Sequence, residues 1–257
     1  MTEEIRMAYI RRTVYAGNKI FISKFSAPMF GNHNRRGARL KESSEAVKKC
    51  SDFHAAEKFE AKLLTNFKPG DWHISLTYAD VENLTEEQAK KDLRNFLDRL
   101  KRRCAKQNIT LKYVKMTERS VKGRLHHHLI LPQEIPGQMI VECWEHGIVK
   151  ANALLGSDVR GLAEYFVDKT KKGQKNDDRP KNTARYSFSR NCIEPKITYE
   201  NIGASKWRIE PKAPKGFMLD KNSVVTGTSK MGYEYQRYTL VRIKSKEANR
   251  KCQRKKC

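Results

Sequence analysis

Thr117-Glu118-Arg119-Ser120-Val121-Lys122-Gly123-Arg124-Leu125-His126-His127-His128-Leu129-Ile130-Leu131 is the stretch that decides the fold. Leu125 to Leu131 places Leu, His, Leu and Leu on alternate positions, the period of a strand with one buried face. A second strand, Thr110 to Glu118, precedes it. Val121-Lys122-Gly123 between them has the length and the glycine of a three-residue hairpin loop, with Gly123 in the left-handed position. If Ser120 pairs with Arg124, Glu118 stands opposite His126 and Met116 opposite His128. Residues two apart on a strand share a face, so His126 and His128 project together beside Glu118, and His127 turns to the other side. His127 is therefore read as a packed, neutral core histidine.

Two imidazoles and one carboxylate, with further positions open to water or substrate, make a divalent-cation site suited to polarising a phosphate oxygen. Without cysteine ligands the trio makes a poor structural zinc site. Mg²⁺ prefers oxygen ligands and two imidazoles favour Mn²⁺, so Mg²⁺ or Mn²⁺ is the expected ion.

Outward from this hairpin, Trp72 to Tyr78 alternates as a strand, and its polar face offers His73, Ser75 and Thr77. Thr85-Glu86-Glu87-Gln88 has the spacing that opens a helix, followed by an apolar stripe of Ala89, Leu93, Phe96, Leu97, Leu100 and Cys104. A helix is also expected over Glu42 to Phe67, another from Gly137 to His146, a strand around Ile148 to Leu154, and a last helix from Ser157 or Asp158 to before Gly173. Residues 5 to 26 suggest a hairpin leading into a Gly- and Arg-rich arm. The fold class implied is α+β: an antiparallel sheet of about five strands with helices on one face and the other face free for a ligand. The domains read as 1–40, a hairpin and basic arm; 41–200, the catalytic domain; and 201–257, a basic extension.

The 53 Lys and Arg against 29 Asp and Glu, a formal charge of +24, call for a polyanionic partner. No apolar run approaches the roughly 18 residues of a spanning helix, so nucleic acid is expected and a membrane is not. Six scattered cysteines and an N-terminus without an apolar signal core suggest a reduced, cytoplasmic protein. No phosphate loop or internal repeat is present.

Tyr165 and Lys169 lie four residues apart in the last helix and so on one face of it. A tyrosine hydroxyl, with an ordinary pKa of about 10, needs a neighbouring cation or base before it attacks phosphorus at neutral pH.

With Asn66-Phe67-Lys68-Pro69-Gly70-Asp71 running into Ile74-Ser75-Leu76-Thr77-Tyr78, with Gly123 to Leu129, with Tyr165 and Lys169, and with Arg185-Tyr186-Ser187-Phe188-Ser189-Arg190-Asn191, the chain resembles the rolling-circle replication initiators of the His-hydrophobe-His (HUH) endonuclease superfamily, similar to filamentous-phage gene II protein. His127 stands where that family carries a bulky hydrophobe. Asp168 stands where its lysine often lies, with Lys169 one step later. The resemblance implies an RRM-like core, catalytic Tyr165 and Lys169, metal ligands Glu118, His126 and His128, and DNA contacts from Thr77, Arg124, Arg185, Ser187, Ser189 and Arg190. It implies single-stranded or hairpin origin DNA as substrate, nicked to a 5′-phosphotyrosyl link and a free 3′-OH, with host helicase and polymerase as partners. The alternatives are a non-catalytic single-strand binder and a related single-tyrosine transposase or relaxase.

Overall fold

The computed structural model describes residues 9–26, 45–79, 84–120, 123–155, 159–172, 186–203, 207–229 and 232–243. It divides into two units, residues 43–194 and residues 1–42 with 195–257.

In the first unit, α1 (Glu45–Asn66), β3 (Trp72–Thr77), α2 (Glu86–Lys106), β4 (Val114–Arg119), β5 (Leu125–Leu131), α3 (Gly137–Cys143), β6 (Val149–Ala153), α4 (Val159–Lys172) and β7 (Tyr186–Phe188) follow in chain order. Its five strands pair antiparallel in the order β6-β3-β5-β4-β7. The turn into β3 is held by Asp71, whose carboxylate accepts from the backbone N–H of Lys68 at 2.8 Å and of Gln133 at 3.0 Å. Thr85 caps α2 by accepting from the Gln88 N–H at 3.1 Å, while the Gln88 side chain donates to Asp92.

Alternation divides the sheet's side chains between two cores. Ile74, Leu76, Leu129 and Leu131 meet the α2 stripe and Met139 and Ile140 of α3. On the opposite face Val114, Met116 and Ile130 meet Ala56, Phe59 and Leu63 of α1 and Ala163, Phe166 and Val167 of α4. The α+β class and the five-stranded antiparallel sheet are those expected, but helices lie on both faces. The expectation of a second face left free is corrected accordingly: α1 and α4 cover part of it. Their apolar residues need burial as much as those of α2 do, and this face, carrying Val114, Met116 and Ile130, supplies it.

The second unit brings residues 9–26 and 196–242 together. β1 (Tyr9–Ala16) and β2 (Lys19–Ser26) form the expected hairpin, and β8 (Lys196–Ile202), β9 (Phe217–Thr228) and β10 (Glu234–Arg242) complete a sheet in the order β8-β1-β2-β10-β9. The stretch 201–257, read as an extension, thus contributes two strands to a sheet shared with the N-terminal hairpin. No helix among the described residues is long and apolar enough to cross a membrane.

Candidate metal centre and nucleophile

The β4–β5 hairpin has the register that its turn demands. Glu118 pairs with His126 and Met116 with His128. Ser120 N–H donates to Arg124 O at 2.8 Å and Gly123 N–H to Ser120 O at 2.9 Å, with Gly123 at φ +78°. That φ is readily open only to glycine, so one residue fixes which side chains share the face.

On that face one imidazole and the carboxylate are in direct contact. His126 Nε2 stands 2.5 Å from Glu118 Oε1 and His128 Nε2 stands 3.4 Å from the same oxygen. One ligand atom from each of the three lies within 4.8 Å of the others. Glu118 is buried, 4% exposed. Burial opposes its ionisation, but the polar hydrogens that His126, His128 and Tyr165 turn toward it outweigh burial and hold the carboxyl well below the ordinary range. For His128 that approach to Glu118 is long and poorly aligned. Among the described residues neither of its buried ring nitrogens makes a well-formed hydrogen bond. An imidazole whose buried nitrogens are in that state fits a metal ligand better than a structural histidine, which finds partners. The donor set, two imidazoles and a carboxylate, could therefore hold a metal ion.

Tyr165 enters from α4, whose first residue is Val159, and so stands about two turns in. Its hydroxyl donates to Glu118 Oε1 at 2.7 Å, and its ring stands edge-on to His128 at 5.6 Å between centroids. Burial, followed by the Glu118 hydrogen bond and charge, raises its pKa well above the ordinary value. Phe166, fully buried, packs on Phe59 of α1 at 5.0 Å, and Phe59 meets Tyr186 at 4.8 Å and Phe188 at 5.3 Å. This aromatic wedge holds α4 over the carboxylate. Lys169 falls on the same helix, one turn after Tyr165; its side chain lies outside the described residues.

His127 faces the α2 core and is fully buried. Its Nδ1 is 2.8 Å from Thr117 Oγ1 and its Nε2 is 2.9 Å from the Tyr78 hydroxyl. One tautomer satisfies all three: Thr117 donates to Nδ1, Nε2–H donates to Tyr78, and Tyr78 donates to Ala89 O at 3.4 Å. Burial, then the neighbouring histidines, lowers its pKa to about 3, so the ring is neutral.

The remaining expected contacts fall in different surroundings. Thr77 ends β3 with its hydroxyl donating to Ile148 O at 3.2 Å. Arg124 and Arg190 are exposed, as is Ser187 on β7, whereas Arg185 and the Ser157–Asp158 cap lie outside the described residues. Ser189 is buried, accepting from Tyr113 N–H at 3.1 Å and donating to Asn191 at 2.6 Å. Its hydroxyl anchors the chain after β7, so it is withdrawn as a DNA contact. Tyr186, the tyrosine of the Arg185 to Asn191 motif, packs in the aromatic wedge, and burial raises its pKa.

Two features of the centre go beyond the site residues expected from the sequence. His73 stacks on His128 at 5.6 Å with 28° between the rings, and burial together with the His128 charge lowers its pKa to about 4. The diagonal step from Ser75, which pairs with His128, is the available signal. Gly147 is the second: a Cβ there would collide with Thr77 O, and this close approach lets Ile148 pair with the end of β3.

Residues 71–174 match the family model of the replication-associated protein ORF2/gene II protein. No curated protein and no solved structure matches the chain. The matched segment lies wholly within the first unit and contains Glu118, His126, His128 and Tyr165.

Proposed function

We propose that this chain, whose residues 71–174 match the family model of the replication-associated protein ORF2/gene II protein, initiates rolling-circle replication by nicking single-stranded or hairpin origin DNA at the Glu118–His126–His128 face. The observation that supports this reading is the 2.7 Å hydrogen bond from the Tyr165 hydroxyl to Glu118, one of three residues whose ligand atoms lie within 4.8 Å of one another.

Glu118, His126 and His128 would hold a divalent ion, which would supply positive charge to polarise the scissile phosphate and to offset the carboxylate charge that keeps Tyr165 protonated. Tyr165 Oη attacks phosphorus in line. The Oη–P bond forms, the P–O3′ bond breaks, and the proton lost by tyrosine is matched by the one gained at the free 3′-OH. No water is consumed, so the ester bond energy is kept in a 5′-phosphotyrosyl link for rejoining. Lys169, one turn on, serves to relieve charge on the phosphorane oxygens. Thr77, Arg124, Arg185, Ser187 and Arg190 steer the strand. A host polymerase extends the 3′-OH and a host helicase opens the duplex ahead of it.

The test is incubation of the full chain with Mn²⁺ and single-stranded origin DNA. A covalent adduct on a denaturing gel, with the nucleotide remnant mapping to Tyr165, supports the reading. Tight binding without adduct would leave a non-catalytic single-strand binder in its place, and a remnant on Tyr186 would move the nucleophile.

A further inference from the structure

The sheet of the second unit gathers cations beside buried donor atoms that have no hydrogen-bond partner among the described residues. Along one face of β1 and β2, Tyr9 pairs with Ser26 and Arg11 with Lys24. Trp207 lies over this quartet, edge-on to Tyr9 at 5.1 Å and 5.3 Å from Lys24 Nζ. Arg11 Nε, Ser26 Oγ and Trp207 Nε1 are all buried without a hydrogen-bond partner among the described residues. Arginine and indole nitrogens only donate, and a buried donor left unpaired is destabilising. Lys24 has a neutral acceptor, Gln236 Oε1, at 3.3 Å. The carboxylate that reaches this group, Glu200, is bonded to a terminal nitrogen of Arg11.

The geometry points to a phosphate-binding site formed by Arg11, Lys24, Ser26 and Trp207, at which the second unit holds the backbone of single-stranded DNA. A phosphodiester oxygen supplies what the quartet lacks, an anionic acceptor able to take several N–H and O–H donors at once. Charge complementarity selects nucleic acid as its source. Residues 1–42 and 195–257 hold 25 Lys and Arg against 8 Asp and Glu, a net +17, whereas residues 43–194 hold 28 against 21, a net +7. Tyr15 continues the same face and is 42% exposed, with Lys196 Nζ 6.0 Å from its ring centre. Aromatics alternating with cations suit a single strand, whose unstacked bases are available to them. The site stands independently of the chemistry at Glu118.

The experiment is binding of a labelled oligo-dT to the full chain by fluorescence anisotropy, in EDTA so that no nicking occurs, across a series of salt concentrations. Lys24→Met keeps the stem on Trp207 and Tyr238 and removes the charge; Lys24→Arg keeps the charge. Lys24→Met is expected to weaken binding three- to tenfold and to lower the slope of log K against log salt by about 0.7, the value of one phosphate contact on a single strand. Lys24→Arg is expected to retain the slope. An unchanged slope in Lys24→Met overturns the site, as does an equal loss in both variants. A duplex competing as well as the single strand overturns the choice of ligand.

Discussion

At neutral pH Tyr165 keeps its proton, because it is partly buried and its hydroxyl is bonded to a carboxylate that holds its own charge. The Tyr165 hydroxyl and the Glu118–His126–His128 group are thus coupled through one atom, Glu118 Oε1, and separate substitutions take them apart. Tyr165→Phe removes only the hydroxyl: Mn²⁺ affinity by calorimetry is expected within about threefold of the parent, and adduct formation is expected to vanish. A nicking activity that survived this change would remove Tyr165 from the reaction. His126→Ala is expected to lose Mn²⁺ binding, whereas His127→Leu is expected to keep it. The Leu variant leaves the Thr117 and Tyr78 hydroxyls without their imidazole and is expected to lose about 1–3 kcal/mol of stability in denaturant melts. If His127→Leu lost the metal and His126→Ala kept it, the register set by Gly123 would be refuted. At this scale the sequence is most informative, since strand parity and one left-handed glycine are local properties. The burial of the Ser189 hydroxyl is not legible there, because one of its partners, Tyr113, is brought to it by a strand pairing that the motif does not contain.

Between elements, the reach of Tyr165 depends on how α4 is seated, and the seat is aromatic. Phe166 against Phe59 is the central contact of the wedge, and truncating such a buried ring costs about 3–5 kcal/mol. Phe166→Ala is expected to lower stability by that order and to cut adduct yield at least tenfold, with Mn²⁺ affinity changed less, because Glu118, His126 and His128 all belong to the hairpin. Equal losses of metal and adduct would mean that α4 supports the hairpin itself. At the far end of β3, Gly147→Ala sets a Cβ against backbone atoms of Thr77 and Tyr78 that no side-chain rotation relieves, and is expected to cost about 1–3 kcal/mol by thermal melting. Most helices and strands of this unit are readable from period and caps, as with Thr85 and the α2 stripe. Which sheet face each helix covers is not, because amphipathicity states that a face is buried without stating against what. Phe59 and Leu63 of α1 carry the right spacing, and only the packing shows that they cover the second face.

Across the whole molecule the positive charge is unevenly spread, and the sheet of the second unit explains why this escapes a linear reading. Arg11 pairs with Glu200 across β1 and β8, 189 residues apart in sequence, and no local pattern announces such a partner. β10 does carry a signal, since Gln236, Tyr238 and Leu240 alternate as a buried face, but it falls in a stretch whose composition marks it as a basic extension. Salt is the variable that separates the contributions of this charge. Residues 244–257 hold seven Lys and Arg against one Glu. If each cation neutralised a phosphate on a single strand, their deletion would flatten the log K against log salt slope by about 5, and partial engagement gives a smaller decrease. Cations that grip phosphate cannot tell one base from another, so affinity for origin and scrambled oligonucleotides is expected to fall in parallel. Origin preference, the ratio of the two, is then expected to stay constant while both curves shift. Were the deletion to abolish that ratio and leave bulk affinity intact, the segment would be reading bases, and the phosphate-gripping role assigned to its lysines and arginines would be wrong.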